Sequence, residues 1–263
     1  MKIGKHMSSE TEHFRFATIN IRFDNDKDPW TWPDRLVLLK ERLFSIAPDI
    51  IATQEGRKKQ LLELKDALAP NYQMVDSHRD WDEYKMYPCL FYNPKRLLLS
   101  ESYDRWLSRT PEVPHSKSFG SAWPKLAVIA SFSSKKTSKI FATASFHFDN
   151  ESSEARPKQA EILLEQIDDC CPENMRILLG DANDRVNSKT LAILKKSGYQ
   201  DPWNFSDAPP SFHGFGNQKI ASRIDYVLYQ GSNVSLEDYN TDSVSQPYYS
   251  DHAIIYATFK TNT

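Results

Sequence analysis

The sequence predicts an α/β sandwich, and two observations support this fold class. Segments with helical periodicity alternate with β-rich runs in both halves of the 263-residue chain. Some of these runs, such as residues 49–54, are apolar at consecutive positions, which is typical of strands buried on both faces. No internal repeat or low-complexity linker divides the chain, so we expect a single domain over residues 8–263.

At least eight strands are expected along the chain. The clearest is residues 139–148, where apolar residues alternate with polar ones and His147 points to the same side as Thr143 and Ser145. The other β-rich runs, in chain order, are residues 14–23, 49–54, 88–92, 125–132, 176–179, 223–229 and 253–260.

Four helices are expected between these strands, at residues 34–46, 58–68, 153–169 and 188–196. Pro33 suits the first turn of the first helix, Pro48 ends it, and Gly198 ends the last helix. The segments most typical of loops are residues 76–87, 108–123 and 201–217. Long loops over a rigid sheet usually carry recognition, so we expect substrate contacts there.

Composition limits the classes of partner. The formal net charge is −2, which argues against indiscriminate binding of nucleic acid or of anionic membranes, although a local basic groove is still compatible with it. The chain has no apolar run long enough to span a membrane and no secretion signal, and residues 1–7, with His6-Met7, are interpreted as an expression-tag remnant. Its three cysteines lack metal-ligand spacing and a disulfide framework, so we expect a reduced, cytoplasmic protein.

Polar side chains lie at the ends of several predicted strands, where they would form the rim of a site. Asn20 and Glu55 each close such a run, and Asp181 and Asn183 occur in Gly180-Asp181-Ala182-Asn183. Each has a structural alternative: Asn20 could bind a neighbouring loop, Glu55 could be an exposed turn residue, and the Asp181 cluster could be an Asx turn. His147 could likewise be a buried histidine with no catalytic role.

The end of the chain carries the strongest local signal. Asp225 lies in the apolar run Ile224-Asp225-Tyr226, and a buried carboxylate there requires a partner. His252, in Ser250-Asp251-His252, is one candidate partner and the adjacent Arg223 is the other. In the first case Asp225 would orient the imidazole while Asp251 holds a cation.

Taken together, these clusters resemble, in order and in local setting, the motifs of the endonuclease/exonuclease/phosphatase superfamily, the DNase I-like hydrolases. The resemblance spans about residues 14–260 and rests on Thr18-Ile19-Asn20, Gln54-Glu55, Phe146-His147, Gly180-Asp181-Ala182-Asn183, Arg223-Ile224-Asp225-Tyr226 and Ser250-Asp251-His252. It implies a four-layer α/β/β/α sandwich of two mixed β-sheets flanked by helices, and hydrolysis of a phosphate ester by in-line attack of water. Mg²⁺ is the implied cofactor, with Mn²⁺ as a possible substitute.

The resemblance also implies roles for individual residues. Glu55, Asn20 and Asp251 would form or water-bridge the metal shell, since Mg²⁺ prefers a few protein oxygens. Asp181 would align or deprotonate the attacking water, and Asn183 would donate to the phosphoryl group. His252, held by Asp225, would bind the phosphate or act as acid or base, with His147 as a second donor.

The substrate is less constrained than the reaction. Arg22, His213 and Arg156 are candidate substrate contacts; their structural alternatives are an ion pair with Asp24, a local packing cluster and a solvated helix surface, respectively. We expect a monomeric phosphoesterase acting on a phosphodiester or small phosphorylated molecule. A 3′-exonuclease or endonuclease and a non-catalytic binding module are the alternatives. Residues 84–89 do not match the tyrosine pattern of abasic-site nucleases, which argues against DNA repair.

Overall fold

The computed structural model describes residues 11–75, 79–206, 209–242 and 245–261. The predicted tag remnant at residues 1–7 lies outside these ranges. The described residues form four helices, α1 (Trp32–Ile46), α2 (Lys58–Leu68), α3 (Ala155–Cys170) and α4 (Lys189–Lys196). Each agrees with a predicted helix to within about two residues. None of these described helices combines the length and the apolar character that a membrane crossing requires.

The strands form two mixed sheets. The first sheet has the order β10-β11-β1-β2-β4-β3 and the second the order β5-β6-β7-β8-β9. Their bounds are β1 (Glu12–Asn20), β2 (Ile50–Arg57), β3 (Gln73–Met74), β4 (Met86–Tyr92), β5 (Leu97–Trp106), β6 (Leu126–Ser134), β7 (Ile140–His147), β8 (Arg176–Asp181), β9 (Asp225–Gln230), β10 (Val234–Thr241) and β11 (Ile255–Thr261).

The two sheets and the helices on their outer faces form four layers, and a hydrophobic core lies between each pair of neighbouring layers. The central one lies between the sheets, where Phe16 of β1 packs edge-on against Phe141 of β7 with ring centroids 5.4 Å apart. A second core lies between the first sheet and α1 and α2, and a third between the second sheet and α3 and α4. The predicted four-layer α/β/β/α sandwich is therefore confirmed.

Three strands escaped the sequence prediction. β5 and β10 are edge strands that carry charged residues such as Glu101, Asp104 and Asp238, and β3 has only two residues. Edge strands are commonly charged because this discourages pairing with other molecules, so the apolar alternation that marks an inner strand is missing. The predicted strand at residues 223–229 was placed two residues early, and Asp225 is the first residue of β9 rather than an interior one.

Strand directions bring the polar strand ends to one edge of the sandwich. β1 and β2 are parallel with Asn20 opposite Gln54, and β7 and β8 are parallel with His147 opposite Asp181. β9 runs antiparallel to β8, so its first residue, Asp225, also lies opposite Asp181. Both sheets therefore present polar side chains at the same edge.

Candidate active site

Asn20 connects the two sheets at the centre of this edge. Its buried Nδ2 group donates to Glu55 Oε1 and to Asp181 Oδ2, both at 3.1 Å. Its Oδ1 accepts from the Arg22 backbone N–H at 3.0 Å, and its carbonyl accepts from Ser250 Oγ at 2.6 Å. Asn20 thus satisfies a loop backbone and also holds two carboxylates from different sheets close together.

Glu55 reaches this position through an irregularity in β2. The register with β4 shifts between Thr53 and Gly56, and Glu55 has a left-handed backbone with φ of 63°. A bulge re-aims side chains at a sheet end, and a non-glycine residue with positive φ is strained. The carboxylate is partly buried and its Oε2 accepts from the Phe23 backbone N–H at 3.4 Å, so Glu55 is not a free turn residue.

Asp225 pairs with His252 rather than with Arg223. His252 Nδ1 lies 2.8 Å from Asp225 Oδ2, and both side chains are buried. The Arg223 guanidinium instead binds both carboxylate oxygens of Asp201. Ser211 Oγ accepts from the Asp225 backbone N–H at 2.9 Å, which fixes the strand end. The dyad therefore leaves His252 Nε2 as the ring nitrogen available to a ligand.

Asp181 completes a compact group with this dyad. One ligand atom each from Asp181, Asp225 and His252 lie within 4.8 Å of one another. Burial and the nearby charge of Asp225 raise the pKa of Asp181 to about 7. Burial disfavours the imidazolium, but the charge and hydrogen bond of Asp225 outweigh it and raise the pKa of His252 to about 10. At neutral pH this imidazole is therefore charged.

Asp251 lies beside the same centre. Its side chain is buried, and Ser250 Oγ lies 3.3 Å from its Oδ1. Its backbone carbonyl accepts from the His213 N–H at 2.9 Å, and Arg22 Nε lies 3.9 Å from Oδ2. With Glu55, Asp181 and Asp225, it gives the site four carboxyl groups.

Asn183 and Gly180 shape the loop that follows β8. The Asn183 backbone N–H donates to Asp181 Oδ1 at 2.8 Å, as in an Asx turn, and its side-chain Nδ2 donates to the Phe148 carbonyl at 3.0 Å. A Cβ at Gly180 would lie 2.1 Å from the Phe146 carbonyl oxygen. Glycine at this position is required by the close approach of β7.

His147 lies next to Asp181 on the neighbouring strand β7. Its Nε2 is 3.8 Å from Asp181 Oδ2 and has no hydrogen-bond partner among the described residues. Burial, with the charges of Lys125 and His252, lowers the pKa of His147 well below its ordinary value. The ring is therefore neutral and aims an unpaired nitrogen at the site.

The three candidate substrate residues differ in their surroundings. Arg22 binds Asp28 through two hydrogen bonds of 3.0 and 3.1 Å, so its closest ion-pair partner is Asp28 and not the predicted Asp24. Arg156 Nε lies 3.2 Å from Asp184 Oδ2, and its Nη1 donates to the Asp149 carbonyl. Its guanidinium therefore connects two loops rather than lying on a solvated helix face.

His213 belongs to an aromatic cluster beside the dyad. Its ring centroid is 4.8 Å from that of Tyr248, and Trp30 contacts both Tyr248 and Phe215. The neighbouring Phe212 ring lies 4.9 Å from the His252 ring. His213 is thus part of a packing cluster, and its Nε2 has no partner within the described part of the chain.

Two positioning residues escaped the sequence prediction. The Lys125 side chain is buried, and its Nζ donates to Asn150 Oδ1 at 3.3 Å. The charges of Glu55 and Asp181 also act on this ammonium group. Arg35 is fully buried in α1 and donates to the carbonyls of Ile21, Arg22 and Tyr249. Arg35 interrupts the apolar stripe of α1, and this pattern could have indicated a buried arginine with a structural role. Lys125 belongs to no motif that would have marked it.

Cavity size does not mark this site. A groove of about 560 Å³ at Lys139 and Asn174 and another of about 580 Å³ at Arg105 and Gln166 lie away from the carboxylates. A smaller cavity of about 300 Å³ reaches His147 and Lys125. We therefore locate the candidate site by its chemistry, namely the converging carboxylates and imidazoles.

Comparison with known proteins supplies an independent observation. The family model described as the endonuclease/exonuclease/phosphatase family matches residues 17–252. A protein of Acanthamoeba polyphaga mimivirus, itself uncharacterised, is 29% identical over 172 residues, which cover 62% of this chain and 63% of that protein. The match therefore spans less than two thirds of the mimivirus protein.

Solved structures share the whole fold. The endonuclease/exonuclease/phosphatase from Bacteroides vulgatus superposes with a TM-score of 0.88 at 24% identity, covering 95% of this chain and 99% of that one. The mannosyl-6-phosphatase of Bacteroides thetaiotaomicron superposes with a TM-score of 0.81 at 25% identity, covering 94% and 99%.

Proposed function

Because the chain belongs to the endonuclease/exonuclease/phosphatase family, whose members hydrolyse phosphate esters, we propose that it is a Mg²⁺-dependent phosphoesterase of small phosphorylated molecules. The observation that carries this proposal is the geometry around Asn20, which holds Glu55 and Asp181 at one sheet edge beside the Asp225–His252 dyad. Mn²⁺ is the expected substitute metal.

The residues present fit a hard divalent cation. Four carboxyl groups lie at the same edge, three of them buried, and buried carboxylates are stable only when paired or bound to a cation. His252 Nδ1 is already bound to Asp225, so we assign the metal to Glu55, Asn20 and Asp251. When bound, the ion would neutralise charge on the phosphate and on the leaving oxygen.

The remaining residues would bind the phosphoryl group and move a proton. Asp181 is proposed to align a water and accept its proton as the water oxygen bonds to phosphorus and the ester P–O bond breaks, and the departing alkoxide takes up a proton from solvent to leave as the alcohol. Charged His252 would donate from Nε2 to a phosphoryl oxygen, held in place by Asp225. One Asn183 side-chain N–H is used by Phe148, which leaves the second for the phosphoryl group. His147 would donate from the opposite side.

Several observations support a small substrate over a nucleic acid. The net charge is −2, and two of the four lysines that could contribute to a basic strip are paired, Lys58 with Glu83 and Lys59 with Glu63. The similarity to a mannosyl-6-phosphatase points the same way.

All three cysteines lack a disulfide, which supports the predicted cytoplasmic location.

Turnover measurements test this proposal. With Mg²⁺ present we expect hydrolysis of a sugar phosphate or nucleotide monoester to exceed that of an oligonucleotide, while Asp181→Ala lowers kcat by at least about 10²-fold. Asp66→Ala, which removes an exposed carboxylate on α2, is the matched control and should retain wild-type kcat. Near-normal activity in folded Asp181→Ala would refute the mechanism, and preferred cleavage of oligonucleotides would favour a nuclease.

A further inference from the structure

A cavity beside His147 has no assigned role in the chemistry above. It has a volume of about 300 Å³, and its walls include Tyr84, Met86, Trp106 and Trp123, with Lys125 and His147 among the polar residues. Its surface is therefore mostly aromatic and aliphatic, with a few polar groups, as in sites for small organic molecules. A volume of this size lies at the lower end of the range for such sites and suits one ring rather than a chain of them.

The polar end of the cavity meets the carboxylate centre. His147 lies opposite Asp181 in the register of β7 and β8, with its Nε2 3.8 Å from that carboxylate. This nitrogen is buried and unpartnered among the described residues. Lys125 also lines the cavity, and the charges of Glu55 and Asp181 act on its ammonium group. A molecule in the cavity would therefore direct one end at the proposed phosphoryl position.

The cavity is also lined by exposed aromatic and apolar side chains. Trp123 is 60% exposed and Tyr84 is 89% exposed, and Met86 beside them is 43% exposed. A cluster of large, solvent-exposed apolar side chains around a cavity commonly marks a binding surface. Aromatic rings of this kind stack on the flat face of a base or another ring.

The loop that carries Trp123 is tied to the same strand end as His147. Asp149, two residues beyond His147, accepts from Ser121 Oγ at 2.5 Å and from the Ala122 backbone N–H at 2.8 Å. Ser121 Oγ also lies 2.6 Å from the Trp123 carbonyl. The backbone at Trp123 is thus fixed relative to His147 before any ligand binds, which lowers the entropic cost of binding.

We propose that this cavity binds the organic portion of the substrate, a ring with an apolar face such as a pyranose or a nucleobase. The ring stacks on Trp123 while the phosphoryl group lies at the inner end near His147 and Lys125. This inference rests on the proposed function and narrows it to phosphomonoesters of ring-bearing alcohols. Pyranose and nucleoside are two sources of the same stacking chemistry, and the assay separates them.

The test compares substrates with and without a ring. Initial rates with Mg²⁺ are measured for glucose 6-phosphate, mannose 6-phosphate, adenosine 5′-monophosphate and glycerol 3-phosphate. In Trp123→Ala we expect kcat/KM for the preferred ring-bearing ester to fall about tenfold more than for glycerol 3-phosphate, mainly through KM, because stacking is lost. Trp123→Phe should restore most of the selectivity.

Ile140→Ala is the matched control. Ile140 is 53% exposed and begins β7, at the opposite end of the strand from His147, so its truncation should leave every kcat/KM unchanged. Equal losses for ring-bearing and ring-free esters in Trp123→Ala, or no loss, would overturn the cavity assignment while the phosphoesterase proposal stands. If the wild-type protein hydrolyses no phosphate ester at all, the proposed function fails and this assignment fails with it.

Discussion

At the scale of single residues, the site depends on the hydrogen bonds made by the side chains of Asn20 and Asp181. Asn20 donates to Asp181 and Glu55, and the Asn183 backbone donates to the other oxygen of Asp181. These bonds favour the charged carboxylate, but burial and Asp225 act more strongly and raise its pKa to about 7. A carboxyl group with this pKa suits a general base near neutral pH.

The same shift predicts a pH-dependent stability. The pKa of Asp181 rises from an ordinary 3.8 to about 7 on folding, so between these values the folded state holds a proton that the unfolded state has released. In metal-free protein, this group therefore lowers stability progressively from about pH 4 to pH 7. His252 adds to this fall from about pH 6.5 upward, because the unfolded histidine releases its proton there while the folded group, with a pKa of about 10, retains it.

Urea unfolding in the presence of EDTA measures this effect. We expect the free energy of unfolding of Asp181→Asn to fall less steeply than that of wild type between pH 4 and pH 7, because asparagine does not titrate. Asp66→Asn, at an exposed position, should follow the wild-type slope. Identical slopes for wild type and Asp181→Asn would show that the buried carboxyl group is not perturbed in this way.

At the scale of elements, the site requires strands to end together and to pack closely. β7 and β8 bring His147 and Asp181 side by side, and β9 adds Asp225 in register. Gln54 of β2 donates to Ser145 Oγ of β7 at 3.2 Å, which connects the two sheets near the carboxylates. A small change in the spacing of these strands would therefore displace the site residues of one sheet relative to those of the other.

Gly180→Ala tests this close packing. A methyl group there would lie 2.1 Å from the Phe146 carbonyl oxygen, so β7 and β8 must separate, at an expected cost of more than about 2 kcal/mol in the free energy of unfolding. Gly120→Ala is the comparison, because the space around Gly120 is open and only its positive φ opposes alanine, for about 1 kcal/mol. Equal destabilisation by denaturant unfolding would contradict the role assigned to Gly180.

At the scale of the whole molecule, the first sheet supplies Asn20 and Glu55 and the second supplies Asp181 and Asp225. The loop before β11 adds Asp251. The proposed metal ligands Asn20, Glu55 and Asp251 come from β1, β2 and the loop before β11, so a cation bound there would tie together three segments that are far apart in the chain. Metal binding and folding stability are expected to be coupled for this reason.

Thermal unfolding with added Mg²⁺ measures the coupling without any assay of activity. If the metal binds with a dissociation constant of about 1 mM, 10 mM Mg²⁺ should stabilise the protein by about 1.4 kcal/mol, or a few degrees in Tm. Glu55→Gln should lose most of this shift, and Glu41→Gln, at an exposed position of α1, should retain it. An unchanged shift in Glu55→Gln would remove Glu55 from the metal site.

The sequence by itself determined the fold class and the polar strand ends. Amphipathic helices, inner strands and the buried edge strand β9 carry a marked apolar pattern, so the four helices and eight of the strands were recognisable. The edge strands β5 and β10 lack that pattern because they carry charged residues on exposed faces, which is why they were missed. Short motifs such as Gly180-Asp181-Ala182-Asn183 marked candidate residues, but not their partners.

Only the tertiary structure decided which groups touch. Asn20 bonds to Asp181, 161 positions away in the chain, and Asp225 pairs with His252 instead of the adjacent Arg223. Lys125 and the cavity at Trp123 had no motif, because a buried lysine and an exposed tryptophan become informative only through what surrounds them. The physical reason is that periodicity records burial, a local property, whereas pairing depends on strand direction and register between distant segments.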